Sequence, residues 1–215
     1  MFKRKPFHKE NGKGSLVSKR GNTRDQLVGA MRDALAKYGP EAPLSIICKA
    51  AGISPGNVHY QFGGRDALLE EAIRLQFREL ADVMRRHRPA NGDPIATLHS
   101  YIEANFDAEF YTPENCAIYR HLLSQSLLKD RSRRVQQLFH KRFVANASIA
   151  FRPLVGEKNM QTAAVLFVST LNGVFIQGAD IDDRIPPEMA KSLLYSALNC
   201  LLQNYRIDAA SGCKQ

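Results

Sequence analysis

The stretch AAGISPGNVHYQFGGRDALL, residues 50–69, constrains the fold more than any other part of the chain. It lies between strongly helical segments, yet it collects a proline, several glycines, an asparagine, a histidine and a tyrosine. These weak helix formers act as punctuation. Gly52 reaches the left-handed conformation that stops a helix, so it ends a short helix predicted over 44–51. Ser54 then offers an oxygen to the orphan amides of a new helix, and Pro55 suits its first turn because it has no N–H to leave unpaired. Phe62 closes this third helix, and Gly63-Gly64 forms the next turn. Two short helices therefore meet at a sharp corner, with Val58 and Phe62, four residues apart, on the inner face.

The remaining segments are helical in pattern around that unit. A first helix is predicted from an N-cap at Thr23, with Leu27, Met31, Ala34, Leu35 and Tyr38 along one face and Gly39-Pro40 as its stop. A longer helix over 65–88 carries Leu69, Ile73, Phe77, Leu80 and Met84 on one stripe. Pro89-Ala90-Asn91-Gly92-Asp93-Pro94 is the clearest linker. Beyond it, helices are expected at 94–111, 113–127, 131–153, 159–180 and 187–206. Strand-like alternation is absent, so the fold class is all-α: an N-terminal three-helix unit with a helix-turn-helix followed by a larger helical domain. The divisions are a flexible basic arm (1–22), the helix-turn-helix domain (23–68), a connecting helix (69–88) and the second domain (89–210).

Composition narrows the function. Apolar residues make up 44% of the 215, ordinary for a soluble globular chain. The most apolar stretch, 163–179, is interrupted by Ser169, Thr170, Asn172, Gly173, Gln177 and Gly178, so a buried helix is expected and no membrane span. No secretory signal is read, and Cys48, Cys116, Cys200 and Cys213 are scattered without CxxC spacing, which points to reduced thiols and a cytoplasmic location. Enzyme motifs are missing: there is no HExxH, P-loop, GxSxG or dinucleotide-binding glycine pattern. Cys116 and His121 lie five apart on one helix, a poor pair for a metal. No cofactor and no metal site are expected.

Charge points the other way, toward a polyanion. The formal net charge is +9. Residues 1–88 hold 17 Lys/Arg against 9 Asp/Glu, and residues 89–215 hold 13 against 12, so +8 of the excess falls in the first two fifths. A helix-turn-helix in that portion places its second helix in the major groove. Ser54, Pro55, Gly56, Asn57, His59, Tyr60 and Gln61 are left to line its outer rim. Asn and Gln bond adenine bidentately, Ser, His and Tyr donate to phosphates or bases, and Gly56 keeps the surface thin. A partly buried core ring is the alternative for Tyr60. Lys19, Arg20 and Arg24 lie where an arm reaches the minor groove or neighbouring phosphates; solvated charge with no fixed contact is the alternative for residues 1–15.

The string also resembles the signature of the TetR family of transcriptional repressors. That family shows an Ala-Gly-Val-Ser turn, a glycine in the third helix, an aromatic cluster ending in Phe, and a Lys-Glu-x-Leu start to helix four. Here these read Ala51-Gly52-Ile53-Ser54, Gly56, His59-Tyr60-Gln61-Phe62 and Arg65-Asp66-Ala67-Leu68. The resemblance covers residues 24–75. It implies DNA contacts from helix three, with His59 and Tyr60 sharing the backbone-positioning role of the family's tyrosine and Arg65 adding a charge. The second helix departs from the pattern, with Pro43 at its cap and Ile46 where a polar residue is usual, leaving Ser45 as its contact.

The C-terminal region resembles, over shorter stretches, the choline-responsive betaine-pathway (BetI-like) subgroup of that family. The stretches are Ala104-Asn105-Phe106-Asp107, Tyr111-Thr112-Pro113-Glu114-Asn115, Arg133-Arg134-Val135-Gln136-Gln137 and Leu171-Asn172-Gly173-Val174. The subgroup's tryptophans are absent here. A quaternary ammonium needs an aromatic cage, and the rings on offer are Phe106, Phe110, Tyr111, Tyr119, Phe139, Phe143 and Phe175, most of them at spacings that also suit a core. Glu103, Asp107, Arg120, His121, Asn172 and Gln177 are polar groups on apolar helices and candidates to orient a small molecule. The expectation is a repressor that binds a pseudo-palindromic double-stranded DNA operator as a homodimer through its last two helices and is released by a small-molecule effector. The competing readings are a non-specific architectural DNA-binding protein and an activator or global regulator of the same fold.

Overall fold

The structure, a computed structural model, describes residues 15–124, 130–180 and 182–205, with side chains from Thr23 onward, residue 131 excepted. The described residues form nine helices and no strand: α1 (Ser15–Tyr38), α2 (Leu44–Ala51), α3 (Pro55–Phe62), α4 (Arg65–His87), α5 (Pro94–Asn105), α6 (Pro113–Leu123), α7 (Asp130–Val155), α8 (Glu157–Gln177) and α9 (Pro187–Tyr205).

Local chemistry sets the short elements. Gly52 ends α2 at φ 65°, with its own N–H on the Lys49 carbonyl at 3.2 Å and the Ile53 N–H on the Cys48 carbonyl at 3.0 Å. That pair of bonds is the Schellman closure, which needs a left-handed residue. Asp93 caps α5 by accepting from the Ala96 N–H at 2.6 Å, and Thr112 caps α6 by accepting from the Asn115 N–H at 3.2 Å, each with proline at the first helical position.

Four expectations are corrected. The first helix starts at Ser15, so Thr23 lies inside it rather than at its N-cap, and residues 15–22 of the expected flexible arm are helical. Ser54 precedes α3 but makes no side-chain cap; its hydroxyl instead accepts from the Asn57 side-chain nitrogen at 3.3 Å. The fifth helix stops at Asn105, not 111, because Asp107 folds the chain back locally. Its side chain accepts from the Glu109 N–H, and its carbonyl accepts from the amides of Phe110 and Tyr111. Tyr38 is 48% exposed, with the Lys37 ammonium over its ring, so it leaves the buried face of α1.

Two apolar cores share α4. The first gathers Leu27, Met31 and Leu35 of α1, Ile47 of α2, Val58 of α3 and Leu68, Leu69, Ala72 and Ile73 of α4. It does not stop at the helix-turn-helix unit, since Ile118 and Leu122 of α6 and Val135 of α7 belong to it. Ile118 and Leu122 are essentially fully buried, worth on the order of 2 kcal/mol each, so α1 and α6 are held as one packed surface. The second core lies between α5, α7, α8 and α9, around Ile102, Phe106, Phe151, Phe167, Leu171 and Leu198. α8 is long and apolar enough to cross a membrane, yet its Ala163, Ala164, Phe167, Val168, Leu171, Val174 and Phe175 are buried within the protein.

Candidate nucleic-acid interface and regulatory cavity

α3 is mounted on the first core by Val58, which is fully buried, and by Phe62, which is half-buried and packs against the same core. Ser54, Pro55, Gly56, Asn57, His59 and Tyr60 are all exposed, as is Ser45 at the start of α2. Tyr60 is 66% exposed, so the buried-ring alternative does not hold. A Cβ added to Gly56 would meet only the Ser54 hydroxyl, at 3.9 Å. Nothing inside the protein therefore requires glycine there.

Arg24 and Arg65 hold the unit together, which the sequence did not indicate. The Arg24 guanidinium lies 4.4 Å from the centre of the half-buried Phe62 ring, donates to the Gln61 carbonyl at 3.3 Å and reaches Glu71 at 3.7 Å. It thereby supplies a cation to the C-terminal end of α3, where the helix dipole favours one. Arg65 turns its guanidinium onto the carbonyls of Ala42, at 2.9 and 3.0 Å, and of Pro40. It locks the α1–α2 loop to the start of α4 and presents little free charge. The side chains of Lys19 and Arg20 lie outside the described residues.

A cavity of about 240 Å³ opens between α4, α6, α7 and α8. Phe110, Tyr119, Phe143, Asn172 and Phe175, five of the nine ligand candidates, line it together. The Tyr119 hydroxyl donates to the Asn172 side-chain oxygen at 3.0 Å, and burial pushes its pKa up to about 12, so it stays a protonated donor. The other four candidates lie elsewhere. Phe106 is a core ring packed on Tyr111 at 4.9 Å. Glu103 accepts from the Tyr195 hydroxyl at 2.6 Å and pairs with Lys191 at 2.9 Å, tying α5 to α9. Burial works upward on the Glu103 carboxyl, but these bonds outweigh it and the net shift is downward. Asp107 faces His87 at 2.9 Å. His121 bonds the Ala36 backbone and packs where a Cβ on Gly39 would lie, 3.2 Å from its ring.

Gln76, Asn105, Gln136 and Asn146 also line the cavity. Gln76 had a legible signal: an amide at the Ile73+3 and Leu80−4 positions of an otherwise apolar stripe. A larger groove of about 540 Å³ runs between α1, α4 and the start of α6. Both of its arginines are already paired, Arg32 with Glu79 at 2.6 Å and Arg86 with Glu109 at 2.5 Å, and most of its lining is polar or charged, so the smaller, more apolar cavity is the better ligand site.

One residue joins the cavity to the DNA-binding unit. Asn115, buried at the first turn of α6, accepts from Gln76 of α4 through its backbone oxygen at 3.0 Å. Its side-chain oxygen accepts from Arg32 of α1 at 2.7 Å, and its side-chain nitrogen donates to the Phe110 carbonyl at 2.9 Å.

An exposed polar helix at the corner of a helix-turn-helix, mounted on a helical domain with its own cavity, defines a DNA-binding transcriptional regulator. The solved structures agree on the fold. A transcriptional regulator from Rhodococcus sp. superposes with a TM-score of 0.74 at 19% identity, over 86% of this chain and 98% of that one. A TetR transcription regulator from Haloarcula marismortui gives 0.69 at 15%, over 84% and 98%. Among curated proteins, the HTH-type transcriptional regulator BetI 2 of Chromohalobacter salexigens is 29% identical over 89% of this chain and 91% of its own length. The regulator BetI of Paraburkholderia phytofirmans is 30% identical over 73% and 81%. Residues 94–203 match the family profile described as BetI-type transcriptional repressor, C-terminal. The chain belongs to the TetR family of transcriptional regulators, in its BetI-type branch.

Proposed function

We propose that the protein represses transcription as a homodimer on a pseudo-palindromic operator and lets go when a small molecule enters the cavity beside α4. The observation that carries this reading is the Asn115 junction. Gln76 in the cavity wall and Arg32 in the DNA-binding unit bond to the same buried residue. A ligand that repositions Gln76 acts on α4 and, through Asn115, on α1, and so on the direction in which α3 faces. Ligand shifts that balance only through differential affinity for the two arrangements.

The reading heads are Ser54, Pro55, Gly56, Asn57, His59 and Tyr60, with Ser45 beside them. Dimerisation runs through α8 and α9. Val165, Leu166, Met189 and Leu193 are large apolar residues exposed on those helices, a distribution suited to a two-fold partner. Leu194 and Leu198 of α9 are fully buried within the chain and serve its core.

A metabolite panel tests the coupling. A true effector raises the melting temperature and weakens the protein–DNA complex in a gel shift together. If every compound that stabilises the protein leaves the complex unchanged, the coupling is wrong.

A further inference from the structure

The cavity wall contains two acceptors that nothing in the protein satisfies. Gln76 on α4 and Gln136 on α7 are 2% and 4% exposed, both line the cavity, and the side-chain oxygen of each has no hydrogen-bond partner. The Gln76 amide cannot simply be turned round, because its nitrogen already donates to the Asn115 carbonyl. Buried acceptors without donors are costly, and native proteins keep few of them. Two in the wall of one cavity mark a place where a bound molecule supplies the donors.

The rest of the wall narrows the chemistry. Phe77 and Phe139 stack with centroids 4.2 Å apart and planes 10° from parallel, and Leu80, Met84, Phe143 and Phe175 complete an apolar lining. The described residues lining the cavity include no aspartate or glutamate, and the only basic side chains among them are Arg142 and His140. A cation entering here finds no counter-charge and meets Arg142. A quaternary ammonium nitrogen also carries no N–H for the two glutamine oxygens.

We propose that the ligand is a small uncharged aromatic molecule bearing a hydrogen-bond donor, a hydroxyl or N–H, which the side-chain oxygen of Gln76 or of Gln136 accepts. This rests on the cavity being the regulatory site. The same wall discriminates against an analogue of equal shape that lacks the donor, because binding it leaves both acceptors buried and unpaired.

The test uses three probes on the full chain, with affinities from ligand-observed NMR: 4-methylphenol, 1,4-dimethylbenzene, which replaces the hydroxyl by a methyl group, and choline. The expected order puts 4-methylphenol about tenfold or more ahead of 1,4-dimethylbenzene, with choline weaker than either. Gln136→Met and Gln76→Met each remove one acceptor at similar volume, and the gap between the two aromatic probes narrows in the variant that loses the accepting oxygen. Equal binding of the two aromatics, an unchanged gap in both variants, a preference for choline, or no binding of 4-methylphenol each overturns the inference. Choline that binds and weakens the DNA complex would overturn the ligand class alone and leave the regulatory reading standing. Binding of 4-methylphenol in the expected order, with DNA affinity untouched, would support the ligand class and count against the regulatory reading.

Discussion

Gly56→Ala separates what α3 needs to fold from what it needs to meet DNA. Gly56 occupies the second position of the helix, its φ is negative, and an added Cβ finds its nearest neighbour 3.9 Å away, ordinary van der Waals contact. The methyl group therefore introduces no strain, while the substitution removes the conformational freedom glycine gives the unfolded chain. The gain is about 0.5–1 kcal/mol. For a chain of this size that is a rise of roughly 1–4 °C in Tm. The same methyl stands on the exposed face that the groove must approach. Forcing even a small shift there costs about 1–2 kcal/mol of binding, a weakening on the order of tenfold. Thermal unfolding followed by circular dichroism and fluorescence anisotropy with labelled DNA measure the two effects on one preparation. Opposite signs are expected: a more stable protein that binds DNA less well. Unchanged DNA affinity would refute the argument that glycine is there for close approach, and a fall in Tm would refute the packing described around α3.

Other expectations follow from single contacts. Asn115→Ala strands the Phe110 carbonyl and removes one of the bonds to Arg32, which keeps Glu79; a loss of about 2–4 kcal/mol in urea unfolding is expected, with the ligand dependence of DNA binding reduced beyond any effect on DNA affinity itself. Gly178→Ala would place its Cβ 2.5 Å from the Tyr111 ring and 2.7 Å from the Cys116 sulfur, both buried. It should cost about 3 kcal/mol, or roughly 6–12 °C in Tm, where a change under 2 °C would contradict that close approach. Burial, with Arg120 nearby, holds the His121 imidazole below its ordinary value of 6.5 against the opposing Ala36 bond. The unfolded chain thus takes up this proton first, so stability falls as pH drops through 6.5 toward the depressed native value and is insensitive to this group above it. His121→Asn should flatten that part of the pH–stability curve.

How much of this was legible in the sequence depended on how local the cause was. Gly52, Pro55, Gly63 and Gly64 fix α2, α3 and their turns through their own backbone preferences, so the helix-turn-helix could be read residue by residue. The exposed rim of α3 followed, because only Val58 and Phe62 were spaced to face inward. The contacts that Arg24 and Arg65 make within the protein were not legible, because a basic residue near a DNA-binding helix looks free until its partners are seen. Those partners, the Gln61, Pro40 and Ala42 carbonyls, are backbone atoms with no sequence signature. The cavity was half legible. Its rings repeat at helical spacing, which cannot separate the Phe106 of a core from the Phe143 of a cavity wall. Glu103, Asp107 and His121 were polar on apolar helices for structural reasons, each paired across the fold. Gln76 and Gln136 carried the same sequence signal, and only the packing of α4 against α7 distinguishes their unsatisfied oxygens.

The claim that α3 reads sequence is tested most directly by competition. A duplex selected by the protein from a random pool is labelled and titrated by fluorescence anisotropy against excess random-sequence DNA, for the native chain and for Asn57→Ala and Tyr60→Ala. The account predicts that the native complex survives the competitor and that both substitutions weaken it while Tm holds. Loss of the native complex at equal mass of random DNA, or substitutions that leave its affinity unchanged, would contradict it.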